Sequence, residues 1–129
     1  MNCEVVIAHP PRVLVVEDDD ELRGLIGAAL ADAGYAASEA SDGAAALAVC
    51  RERDPDLILL DLALPRLGGQ AFADAYRSGP GRAKIIVMSG TTSAGETSGR
   101  IHAAAFLSKP FDVETLLGAV RRVVPTTTT

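Results

Sequence analysis

Five polar residues stand where apolar runs end. Glu17 and Asp18 follow "RVLVV", Asp61 closes "LILL", Ser89 closes "KIIVM", and Lys109 follows "AFLS". A carboxylate at the end of a buried strand is costly without a partner, and here three carboxylates, a hydroxyl and an ammonium fall at four such ends. If the four strands lie parallel in one open sheet, their carboxyl ends share one edge, and ligands bind in the crevice where the strand order reverses. Three carboxylates brought together there repel by on the order of several kcal/mol at low effective dielectric, so one must hold a proton or a divalent cation must sit among them. Oxygen ligands with room for water and a phosphate suit Mg2+, or Mn2+ in its place. Lys109 and Ser89 complete a place for a phosphoryl group, by charge neutralisation and by a hydrogen bond.

The elements that would bring these ends together follow in order. "RVLVVE" reads as a fully buried strand and leads into "DDDELRGLIGAALADAG", where Leu22, Leu25, Ile26, Ala29, Leu30 and Ala33 recur at helical spacing. Asp19 or Asp20 caps that helix and Gly34 ends it. "YAASEA" is a weaker strand, and Gly43 to Arg53 a second helix with Ala46, Leu47 and Cys50 on one face. "DLILLD", "AKIIVMSG" and "AAFLSK" are three further strands, "GGQAFADAYRS" is a third helix, and "DVETLLGAVRRVV" is a last helix capped by Asp112. Strands that alternate with helices at this spacing pair in parallel, because each crossover uses its helix. The architecture is α/β, with helices on both faces of five strands. Between the fourth and fifth strands, "TTSAGETSGRIHAA" is rich in Gly, Ser and Thr, so the fourth helix expected there is short or frayed.

Size and composition narrow the function. The chain has 129 residues, 48% apolar and 22% charged, which suits one globular domain. Residues 1–11 and 125–129 read as tails around a domain over 12–124. No apolar run approaches the ~20 residues of a membrane span, and no secretory signal opens the chain, so we expect a cytoplasmic protein that meets no membrane. Cys3 and Cys50 are then free thiols. The net charge of −5 argues against direct DNA binding. His9 and His102 read as exposed spectators.

The constellation resembles the receiver domain of two-component response regulators over about Arg12 to Val124. The matching pieces are "VLVVEDD", "PDLILLDLALP", "IIVMSG" and "FLSKPF", in order and at the right strand ends. The resemblance implies a flavodoxin-like, doubly wound sheet of order 2-1-3-4-5. It makes Asp61 the phosphoacceptor, taking its phosphoryl group from a sensor histidine kinase or a histidine phosphotransfer protein. It gives Glu17, Asp18, Asp61 and the backbone carbonyl of Ala63 to Mg2+, and it gives Lys109 and Ser89 to the phosphoryl oxygens. Lys109–Pro110 is expected to be cis. Ser89 and Phe106 take the switch positions, and Ala63 and Thr91 those that tune hydrolysis; neither of the latter side chains positions a water, so a long phosphoryl lifetime is expected.

Several expectations depart from the commoner pattern. Phe106 lacks a phenolic hydroxyl, which leaves only packing for readout. Gly68 and Gly69 are expected to loosen the turn after the phosphoacceptor. The order of the segment before the fifth strand is expected to depend on phosphorylation or on a partner. The chain reads as a stand-alone receiver, a monomer or a phosphorylation-dependent dimer, that acts by binding an unknown downstream protein or by passing or draining phosphate in a relay. The rival function classes are a pseudo-receiver that binds partners without turning over phosphate, and an aspartate-dependent phosphotransferase or phosphatase. The latter would usually carry a second acid where this chain has Ala63.

Overall fold

The computed structural model describes residues 9–64, 67–90 and 101–126. Five parallel strands form one sheet: β1 (Arg12–Val16), β2 (Ala36–Ala40), β3 (Leu57–Asp61), β4 (Lys84–Ser89) and β5 (Ala105–Ser108), in the order β2-β1-β3-β4-β5. This is the doubly wound order expected. The described helices are α1 (Asp20–Asp32), α2 (Gly43–Glu52), α3 (Gly69–Arg77) and α4 (Val113–Val123).

The apolar strands divide their side chains between two cores. Val13, Val15, Leu57, Leu59, Ile86 and Met88 face Ile26 and Leu30 of α1 and Leu116 and Val120 of α4. Leu14, Val16, Ile58, Leu60, Ile85 and Val87 face Ala46 of α2 and Phe72, Ala73 and Tyr76 of α3. With both faces covered, β1 and β3 have no room for polar residues until their carboxyl ends. The edge strand β2 is largely exposed, which is why its sequence signal is weak.

Local chemistry sets the boundaries. The Asp19 carboxylate accepts from Leu22 N at 3.1 Å, so Asp19, rather than Asp20, caps α1. Gly34, with φ of +99°, turns the chain out of that helix in the left-handed region that glycine tolerates. Asp112 caps α4 as expected, accepting from Thr115 N at 2.7 Å. The cap of α2, Asp42, escaped the sequence reading; its carboxylate accepts from Ala45 N at 2.8 Å.

Two expectations need correction or bounding. Gly69 does not loosen the turn before α3: a β-carbon there would lie 2.8 Å from Leu62 Cα and 2.9 Å from the Asp61 carbonyl oxygen. The glycine lets the start of α3 press directly on the Asp61–Leu62 peptide. The expected fourth helix and Thr91 fall mainly or wholly within residues 91–100, and Cys3 within 1–8, all outside the described residues. Cys50 carries a free thiol, and His9 and His102 are both exposed.

Candidate functional site

Parallel register brings the expected residues together at one edge. Asp61 ends β3 opposite Met88, and Ser89 ends β4 opposite Ser108, so Lys109 is the first residue past β5. Lys109 N donates to the Ser89 carbonyl at 2.9 Å, fixing the lysine beside the end of β4. The Lys109–Pro110 peptide is cis. Glu17 follows β1, and its N–H donates to the Ala40 carbonyl of β2 at 3.1 Å.

Side chains then converge. Lys109 Nζ lies 2.7 Å from Glu17 Oε1 and 3.4 Å from Asp61 Oδ2. Asp61 Oδ1 accepts from Ala63 N at 3.1 Å, and Glu17 Oε2 from Asp19 N at 3.2 Å. Carboxylate oxygens from Glu17, Asp18 and Asp61 all lie within 4.8 Å of one another. Glu17 and Asp61 are 1% and 3% exposed, whereas Asp18 opens to solvent. This is a hard-oxygen set with one open side, and it fits a divalent cation that keeps part of its water shell.

Among the described residues, three carboxylates face one ammonium, and the excess negative charge shows in both partners. Burial pushes the Glu17 carboxyl above its ordinary value, with Asp61 adding to the rise and Lys109 opposing it. Burial alone would lower Lys109, but its hydrogen bond to Glu17 and the charges of Asp61 and Glu17 hold it above its ordinary value. The ammonium is therefore retained, and among the described residues the carboxylates at this edge outnumber it.

Ser89 is buried at the same edge. Phe106 is not: it is 40% exposed on β5, so its ring is not part of the core. Ala63 is exposed beside Asp61.

One contributor was missed. Arg23 of α1 donates from Nη1 to the Glu17 carbonyl at 2.9 Å and from Nη2 to Asp20 Oδ1 at 2.6 Å, with Nε 3.4 Å from Glu39 Oε1. The Asp20–Arg23 spacing of a helical ion pair was visible in sequence, but the bond to a strand-end carbonyl leaves no such trace.

Residues 13–121 match the family model for the response regulator receiver domain. This chain belongs to that family. Among curated relatives, it is 35% identical over 119 residues to the DNA-binding dual master transcriptional regulator RpaA of a Synechocystis species, covering 88% of this chain and 49% of the relative. It is 33% identical to Protein Rrf1 of Nitratidesulfovibrio vulgaris, covering 91% of this chain and 85% of that protein. The chain thus spans about half the length of relatives such as RpaA and nearly all of Rrf1. Among solved structures, the chemotaxis response regulator CheY4 of Vibrio cholerae superposes with a TM-score of 0.83 at 32% identity, over 89% of this chain and 99% of that one. NtrX from Brucella abortus gives 0.82 at 29% identity, over 89% of this chain and 27% of that one. Among the described residues no helix is long and apolar enough to cross a membrane.

Proposed function

We propose that Asp61 accepts a phosphoryl group from the phosphohistidine of a sensor kinase or a histidine phosphotransfer protein, with Mg2+ held by Glu17, Asp18, Asp61 and the Ala63 carbonyl. The convergence of Lys109 on both Glu17 and Asp61 supports this reading most directly. An Asp61 carboxylate oxygen forms the bond to phosphorus, the phosphorus–nitrogen bond of the donor breaks, and the imidazole leaves with the electron pair. Charge developing on the equatorial oxygens is met by Lys109 and by the Ser89 hydroxyl, so the protein works by positioning and charge stabilisation. Bound Mg2+ supplies the remaining positive charge that this acidic pocket lacks.

Readout follows from the same edge. Ser89 turns toward the new phosphoryl oxygens, and Phe106 moves from its exposed position toward the space beside β4. Its ring is free to do so by packing alone, because it carries no hydroxyl to satisfy. The surface around β5 and α4 changes shape with it, and a protein partner or a second copy reads that change. Phosphate turnover tuned by Ala63 and Thr91 is slow in this reading, since alanine offers no polar group to a water and threonine no acid or amide.

The test is incubation with Mg2+ and acetyl phosphate followed by intact mass, on wild type and Asp61→Asn. The expected result is a gain of one phosphoryl group, lost in the variant and on chelation. A folded wild-type protein that gains nothing would leave an interaction module without phosphate chemistry as the better account.

A further inference from the structure

We propose that Arg23 is a positioning residue for the metal edge. It fixes the peptide plane between Glu17 and Asp18 and thereby the direction in which Asp18 presents its carboxylate. The inference rests on the reading of Glu17, Asp18 and Asp61 as the metal's ligands.

The two acidic residues are held in opposite ways. Every polar group of Glu17 is engaged: its N–H by Ala40, its carboxylate by Lys109 and Asp19 N, and its carbonyl by Arg23. Asp18 is exposed, and among the described residues its side chain has no hydrogen bond or ion pair. Its aim is set by the backbone it stands on. The carbonyl of Glu17 and the Cα of Asp18 belong to one planar peptide unit, so whatever turns that carbonyl turns the base of the Asp18 side chain.

Arg23 is built to hold that unit still. Its guanidinium side chain is 17% exposed and reaches three elements at once: the end of β1 through Glu17, the first turn of α1 through Asp20, and β2 through Glu39. Three acceptors in three directions need the fork of an arginine, which a lysine ammonium cannot reproduce. One turn along α1, Gly27 leaves the space that the third arm occupies. A β-carbon there would stand 2.6 Å from Glu39 Oε2, so the absent side chain allows Glu39 to lie along the helix and reach Arg23.

The sign of the effect separates positioning from charge. Arg23 is a cation beside a cation site, so a purely electrostatic role predicts tighter Mg2+ binding when its charge is removed. Positioning predicts weaker binding. Mg2+ titration of the full chain by calorimetry and by the backbone amide shifts of residues 17–19, with thermal melting in a chelator run in parallel, reads both. In Arg23→Gln and Arg23→Lys alike, the dissociation constant is expected to rise about 10-fold, in the range found when groups that orient metal ligands are removed. Gly27→Ala adds helix propensity and displaces only the tip of Glu39, so it should melt higher yet bind Mg2+ more weakly; it carries the test if Arg23→Gln does not fold.

Unchanged or tighter Mg2+ binding in the Arg23 variants overturns the proposal, as does full rescue by Arg23→Lys. A lower melting point at unaltered Mg2+ affinity would show Arg23 to be structural only. A wild type that neither binds Mg2+ nor takes a phosphoryl group removes the receiver chemistry and the proposal together. A phosphorylated wild type with unmoved variants removes Arg23 alone.

Discussion

The two ends of the sheet each carry a carboxylate beside a buried polar group, and they resolve the cost differently. At the amino ends of the central strands, Asp54 Oδ1 accepts from the Tyr76 hydroxyl at 2.6 Å and Oδ2 from Arg82 N at 2.9 Å, while the same hydroxyl accepts from Ala83 N at 2.7 Å. Gly81 abuts the Tyr76 ring, where no β-carbon would fit. A cleft of about 460 Å³ opens beside this network, lined by Leu47, Cys50, Tyr76 and the Gly79–Gly81 turn. At the carboxyl ends, Glu17, Asp18 and Asp61 meet a single ammonium among the described residues, and there charge is left over. The first arrangement is closed and stabilises the fold. The second leaves a set of carboxylate oxygens that could hold a metal ion open on one side, and keeps them together at some cost to the fold, as functional sites do.

Substitutions at each end test that contrast. Asp61→Asn should abolish phosphoryl uptake entirely while leaving the melting temperature of the metal-free protein unchanged or higher, because it removes one of three repelling charges. A marked fall in melting temperature would mean that the acidic edge stabilises the fold, and the contrast would fail. Tyr76→Phe should act in reverse. Loss of its hydroxyl strips Ala83 N and Asp54 Oδ1 of a partner, costing about 1–3 kcal/mol in denaturant unfolding, with phosphoryl uptake at the wild-type rate.

A smaller effect is the pH dependence of stability. Glu17 binds its proton more tightly folded than unfolded, so between its ordinary 4.5 and its raised folded value the native state holds more protons. Glu17's contribution to stability is therefore full below about 4.5 and is lost as pH rises through the folded value. Asp61 is one cause of that rise, so melting curves of Asp61→Asn across this window should show a shallower dependence on pH than wild type; identical slopes would remove the coupling. The smallest effect concerns Cys50, whose thiol burial pushes up from 9.0 to about 11, with Asp54 adding to the rise. Alkylation at pH 8 should run about 100-fold slower than for a free small thiol, in proportion to the thiolate fraction.

The sequence made the edge legible and left the supports largely hidden. Glu17, Asp61, Ser89 and Lys109 announce themselves because each interrupts or ends an apolar run, and alternation of strands and helices is enough to place such ends together. Arg23 carried only its helical pairing with Asp20, since its bond to the Glu17 carbonyl depends on how α1 leaves β1. Asp54 and Tyr76 stand 22 positions apart with no period to join them, and only the packed return of α3 brings them into contact. Phe106 shows the limit from the other side: an aromatic in a strand reads as core, yet β5 is an edge strand and the ring is substantially exposed. The turn after β3 misled for a related reason, because two glycines read as slack until the neighbour against Gly69 is known.

Gly69 and Tyr76 open and nearly close the same helix, seven positions or about 10 Å apart. One end abuts the peptide after Asp61, and the other is held by Asp54 and Ala83. Helix α3 thus touches both ends of the sheet, and the Tyr76 ring is a native spectroscopic reporter on an element that also packs against the Asp61 peptide.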